Sequence, residues 1–123
     1  MVNQDFQLDY VLEKIYSMNK ELNADLTKEL LEYQKTDRLA TDLKKLFMEM
    51  IWHEIAKERY DIAPDNLRIM MEARAYEDCC RHSVHFNHEK SDDATAYVKT
   101  IIRSSFAYII AKHGNFPKTR IEI

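Results

Sequence analysis

Turn-forming residues are scarce in this chain. The 123 residues include one glycine and two prolines. A β-sandwich or barrel needs a turn about every 8–12 residues, and Gly and Pro are the residues that make most such turns. This chain cannot supply them. Helices joined by few, short connections are what remain. Hydrophobic residues make up 46% of the chain and charged residues 32%, a globular rather than a disordered composition. A chain of this length buries roughly two-thirds of the surface it exposes when unfolded, so residues 1–123 are expected to form a single all-α domain.

Apolar spacing marks the helices. Leu8, Val11, Leu12, Ile15 and Met18 form one stripe. Leu22, Leu26, Leu30 and Tyr33 form a second, which Asn23 could cap, with Asp25 in its first turn. A third helix starts near Thr36 or Asp37 and runs to about Tyr60, with Leu39, Leu43, Leu46, Phe47 and Met50 on one side. No Gly or Pro precedes Pro64, so the breaks among these three are weakly marked, and the second and third helices could be one long rod. Pro64 ends that run, and Asp65 is placed to cap a fourth helix over 66–82, with Ile69, Ala73, Tyr76 and Cys80 on one face. Ser91, Asp92 and Asp93 open a fifth, which Gly114 stops. The tail FPKTRIEI then reads as extended, with Thr119, Ile121 and Ile123 sharing a side. The expected architecture is a compact bundle of about five helices with a short extended C-terminal tail.

Two of these helices carry more apolar surface than one core face requires. Met48, Ile51, Trp52 and Ile55 form a second patch on the third helix. On the fifth, Val98, Ile101, Ile102, Ser105, Tyr108 and Ile109 make the main face, while Phe106 and Ile110 project elsewhere, between Lys99 and Arg103. Ala96, Thr100, Ser104, Ala107 and Ala111 make a strip of small residues that allows another helix to come close. A helix apolar on several sides is central in its own domain or shared with a second chain. The expectation is self-association, as a homodimer, or a protein partner. The contact residues would be Trp52, Ile55, Phe106, Ile110, Lys99 and Arg103.

Charge sharpens the partner class. The chain is acidic overall, at −3, and lacks the basic footprint of a general nucleic-acid binder. Residues 94–123 differ: Lys99, Arg103, Lys112, Lys118 and Arg120 face only Glu122. Nucleic acid would therefore be met only through that C-terminal segment. No apolar run of about 18 residues occurs, and MVNQDFQLDY lacks the basic and apolar regions of a secretory signal. A cytoplasmic protein without a membrane segment is expected. Free thiols rather than a bridge follow for the adjacent Cys79 and Cys80.

The stretch Cys79–Lys90, CCRHSVHFNHEK, concentrates the reactive side chains. Residues three apart on a helix are rotated by about 60°, so Cys79, His82, His85 and His88 fan out and cannot all meet one ion. Two neighbours could do so only with help from His53, Glu54 or Glu58. HEIAKE lacks the second histidine of a zinc protease. No metal site and no cofactor are expected. Arg81 and His88, with His82 as the polar neighbour, resemble a loose form of the Arg-x4–6-His motif of the HEPN family of metal-independent ribonucleases. That resemblance implies an all-helical, commonly dimeric endoribonuclease. Arg81 would stabilise charge on the scissile phosphate and His88 would move protons. The plain reading of the segment is a helix C-terminus, where cations favour the free carbonyls, followed by a polar loop. A non-enzymatic protein-binding or regulatory helical protein is the leading expectation, and the HEPN-like ribonuclease the alternative.

Overall fold

The structure is a computed structural model that describes residues 2–57, 60 and 63–114, with side chains in the first helix from Met18 onward. The expected tail after Gly114 and part of the segment before Pro64 lie outside these residues. Among the described residues there are four α-helices and one 3-10 turn. They are α1 (Val2–Thr36), α2 (Thr41–Ile55), α3 (Asp65–His82), the 3-10 turn Ser83–His85, and α4 (Ala94–His113). No strand occurs among them. The all-α class and the bundle follow the expectation; four helices rather than about five are described, because the first two expected helices are joined.

The first two expected helices are one. α1 runs through 35 residues, a rod of about 52 Å at 1.5 Å per residue. Asn23 does not cap it. It sits mid-helix and its side chain reaches the start of α4: Oδ1 accepts from the Thr95 backbone N–H at 3.0 Å and from Thr95 Oγ1 at 3.2 Å. Its Nδ2 donates to the Asp92 carbonyl at 2.9 Å. The N-cap chemistry of asparagine is thus used, but on a helix 72 residues away. The second and third expected helices are separate rather than one rod: α1 ends at Thr36, and α2 starts at Thr41, a few residues later than expected. Asp37 takes a left-handed backbone, φ 56°, and its N–H donates to the Tyr33 carbonyl at 2.8 Å. That is a helix C-terminal turn usually made by glycine and open to Asp or Asn at modest cost.

The later boundaries lie within a residue of expectation. Pro64 is the N-cap of α3, extended in backbone, and Asp65 is the first helical residue rather than the cap. Asp93 caps α4, its Oδ1 accepting from Ala96 N–H at 2.9 Å. Gly114 ends α4 with its N–H donating to the Ile110 carbonyl.

The core is built by Leu26 and Leu30 of α1; Leu43, Phe47, Met50, Ile51 and Ile55 of α2; Leu67, Met71, Ala75 and Cys79 of α3; and Val98, Ile102, Phe106 and Ile109 of α4. Tyr60 meets Phe106 edge-on, 5.0 Å between ring centres. α3 turns a different face inward from the one expected. Ile69 is 64% exposed, Cys80 is half-buried, and it is Cys79 that is fully buried. Polar bonds tie the 80–86 corner to α1. Tyr33 Oη donates to the Cys80 carbonyl at 2.9 Å, and Gln34 Nε2 donates to the carbonyls of Val84 and Phe86.

Candidate functional site

The six expected contact residues separate into three groups. Ile55 and Phe106 are core residues, and Ile110 packs against the core. α2 and α4 therefore cover most of their surplus apolar surface within this chain. Arg103 and Lys99 lie on the side of α4 that faces α2. Arg103 Nε pairs with Glu54 Oε1 at 2.9 Å, and Lys57 Nζ with Glu54 Oε2 at 2.8 Å. Burial pushes the Glu54 carboxyl up. The hydrogen bonds and charges of Lys57 and Arg103 outweigh this and hold it below the usual carboxylate range. Lys99 borders a small cavity with Asn19, Leu22, Met50 and His53. Trp52 alone of the six presents a large apolar side chain to solvent, at 54% exposure.

The surroundings of Trp52 follow from helix geometry. α2 and α3 pack against each other, and the Lys44 ammonium lies near enough to the Cys80 thiol to act on its charge. Lys44 is near the start of α2 and Cys80 near the end of α3, so the pair is antiparallel. From that contact, residues 44, 48 and 52 form one row along α2. Residues 80, 76, 73 and 69 form a row along α3, since steps of three and four keep to one face. The rows are half-buried at Met48 and Tyr76 and open at Trp52 and Ile69. Both open residues lie about one turn from the α2–α3 connector. The apolar row Ile69–Ala73–Tyr76–Cys80, legible in the sequence, is therefore the outer edge of the α2–α3 seam and not the core. Exposed Lys45 and Glu49 flank it on α2, with Arg68 and Glu72 on α3.

The small-residue strip of α4 is also open. Ala96, Thr100, Ser104, Ala107 and Ala111 all reach the surface, so no described helix closes over them.

The histidine-rich segment does not gather into one site. Arg81 pairs with Glu77 one turn earlier on α3, both exposed. His88 lies tilted against the Phe86 ring, 6.2 Å between centres. His82 and His85 are exposed, and border two different cavities. Among the described residues no group of three or more His, Cys, Asp or Glu could hold a metal ion. Glu58, considered with His53 and Glu54, lies outside them. The thiols are poor nucleophiles by environment. Burial pushes Cys79 up to about 12, with Cys80 and Asp78 adding to the effect. Cys80 is also raised, by burial, against the lowering effect of its Tyr76 hydrogen bond and of Lys44.

One cluster was not singled out by the sequence. Asp78 of α3 is buried, at 7% exposure. Its Oδ2 accepts from Ser105 Oγ at 2.7 Å and from Arg74 Nε at 3.0 Å. The Arg74 guanidinium stacks over the Tyr108 ring at 4.4 Å. The signal available was an Arg-x3-Asp pair on one helix face opposite a serine within an apolar stripe, a pattern too common to select in advance.

Comparison with protein-family models, with curated proteins and with solved structures gives no significant match to this chain. Among the described residues no helix is long and apolar enough to cross a membrane. The fold and its open surfaces alone define the class: a small all-helical bundle with a closed core and an exposed aromatic seam.

Proposed function

We propose that this chain is a non-enzymatic helical interaction protein that works as a symmetric pair, docking a second copy on the α2–α3 seam with Trp52 at the centre. The observation that carries the reading is the exposure of Trp52 and Ile69, at 54% and 64%, at the same end of one seam. The core beneath them is closed to 8% or less. Interface energy concentrates in tryptophan and in the apolar contacts that exclude water around it. The charges beside the seam are of both signs: Lys45 and Glu49 on α2, Arg68 and Glu72 on α3. Such a patch complements itself across a two-fold axis, the arrangement of most homodimers. A strongly acidic or basic partner would instead call for one sign.

The test is mass in solution by size-exclusion chromatography with light scattering, on wild type, Trp52→Glu and Ala107→Glu. The reading requires a dimer that Trp52→Glu splits into a helical monomer and that Ala107→Glu leaves intact. A wild type that stays monomeric at high micromolar concentration overturns it. So does a dimer split by Ala107→Glu alone, which would place the contact on the small-residue strip of α4.

A further inference from the structure

The junction of α1, α2 and α4 forms a cavity of about 220 Å³. The register of α1 on α4 places it. Asn23 is bonded to Thr95 at the start of α4. One turn back along α1 and one turn on along α4, Asn19 and Lys99 border the same space, so the two helices run antiparallel past it. On α2, Met50, His53 and Lys57 recur at steps of three and four and line it from one face. Leu22, half-buried, and Met50, buried, supply its apolar surface.

The polar groups around this apolar surface are unequal in charge. Glu54, at 2% exposure, meets Lys57 on one oxygen and Arg103 on the other. Two cations thus serve one buried carboxylate. Half-buried Lys99 adds a third cation, and exposed Glu49 a second carboxylate. Over these groups the balance is positive. Charge beside apolar walls is screened less than charge in open water, so the surplus favours an anion. A largely apolar pocket with a few placed polar groups is the usual form of a small-molecule site.

We propose that the α1–α2–α4 cavity binds a small organic monocarboxylate with a short apolar chain. The ligand's carboxylate pairs with the Lys99 ammonium, with the Asn19 amide and the His53 imidazole as further donors. Its chain lies on Leu22 and Met50. Lys57 and Arg103 stay on Glu54 and hold the net charge positive. The volume lies below the usual range of drug-sized sites, which suits a short chain. Glu49 disfavours a second carboxylate, which selects a monocarboxylate over a dicarboxylate.

The experiment is titration of the full chain, labelled with 15N and with 13C at the methionine methyls. The probes are hexanoate, its neutral isostere hexanamide, acetate and the dicarboxylate adipate. Hexanoate should give saturable shifts at the Met50 methyl and at the His53 and Lys99 amides. The other three should bind at least about tenfold more weakly, each lacking the charge or the chain, or meeting Glu49. Lys99→Gln should weaken hexanoate about tenfold and leave hexanamide unchanged. Lys112→Gln, at the far end of α4, should alter neither. Hexanamide as tight as hexanoate would make this an apolar pocket without charge recognition and overturn the proposal. Acetate or adipate as tight would make it a general anion patch and overturn it equally. So would a Lys99→Gln variant that weakens hexanoate and hexanamide alike, since Lys99 would then only support the fold. No saturable shift at these residues from any probe means that the cavity holds only water, and the proposal fails. If Lys99→Gln does not fold, the four probes on wild type decide the matter.

Discussion

Replacing Asn23 with alanine separates a local from a long-range role by the sign of its effect. Asn23 lies in the interior of α1, where alanine is the better helix former by about 0.6 kcal/mol. If the side chain mattered only to its own helix, Asn23→Ala would stabilise the protein. In the structure it makes three bonds to the start of α4: two through Oδ1 to Thr95 and one through Nδ2 to the Asp92 carbonyl. Thr95 is the second residue of α4, and its N–H is one of the four that a helix leaves unpaired. Loss of a capping side chain costs about 1 kcal/mol, and each further neutral hydrogen bond about 1 kcal/mol. The Asp92 bond is exposed, so water replaces it at small cost. Allowing for that and for the gain in propensity, the net destabilisation is about 1.5 kcal/mol. For a domain of this size that is a fall in Tm of about 6 °C. Urea denaturation followed by far-UV circular dichroism measures it, with the slope unchanged and the midpoint lowered. A midpoint equal to or above wild type refutes the docking of α1 onto the start of α4.

Other expectations are as direct. Phe106→Ala removes a fully buried ring and should cost about 3–5 kcal/mol; a loss below about 1 kcal/mol in a urea titration would return Phe106 to the surface. Asp37→Gly relieves a left-handed residue and should raise stability by about 0.5 kcal/mol in the same titration. Glu54 is lowered in the folded state, so its contribution is complete above the ordinary carboxylate pKa and is lost as pH falls through the folded value. Glu54→Gln should therefore flatten the acid limb of the stability profile below about pH 4.5. An acid limb that stays parallel to wild type would count against the Lys57–Glu54–Arg103 cluster. Native protein treated with a thiol reagent at pH 8 should label Cys80 first, and Cys79 only on unfolding, since Cys79 is buried and pushed up to about 12.

Signals local in sequence were legible. Scarce Gly and Pro fixed the helical class, and the Ser91–Asp93 run located the start of α4. The interior of α2 was legible too: Leu43, Phe47 and Met50 of its stripe and Ile51 and Ile55 of its second patch are buried. What the sequence hid was long-range. Asn23 looks the same whether it caps its own helix or one 72 residues away. Asp37 makes a glycine-type turn without glycine, so the break it causes was weakly marked and a continuous rod stayed open as an alternative. The row Ile69–Cys80 has sound helical spacing, but spacing alone does not distinguish a core face from the rim of a seam. Leu67, Met71, Ala75 and Cys79 supply an equally regular inner face. Trp52 was visible as surplus apolar surface. Its separation from Ile55 and Phe106 depended on which neighbours closed over them, which is tertiary information.

The emission of the protein's single tryptophan on dilution reports on docking at Trp52 itself. Docking at the seam predicts a blue-shifted maximum at high concentration, where the partner copy covers Trp52. On dilution it should move to the red, with the midpoint at the dimer dissociation constant. An indole emitting as in water at every concentration would contradict docking at Trp52.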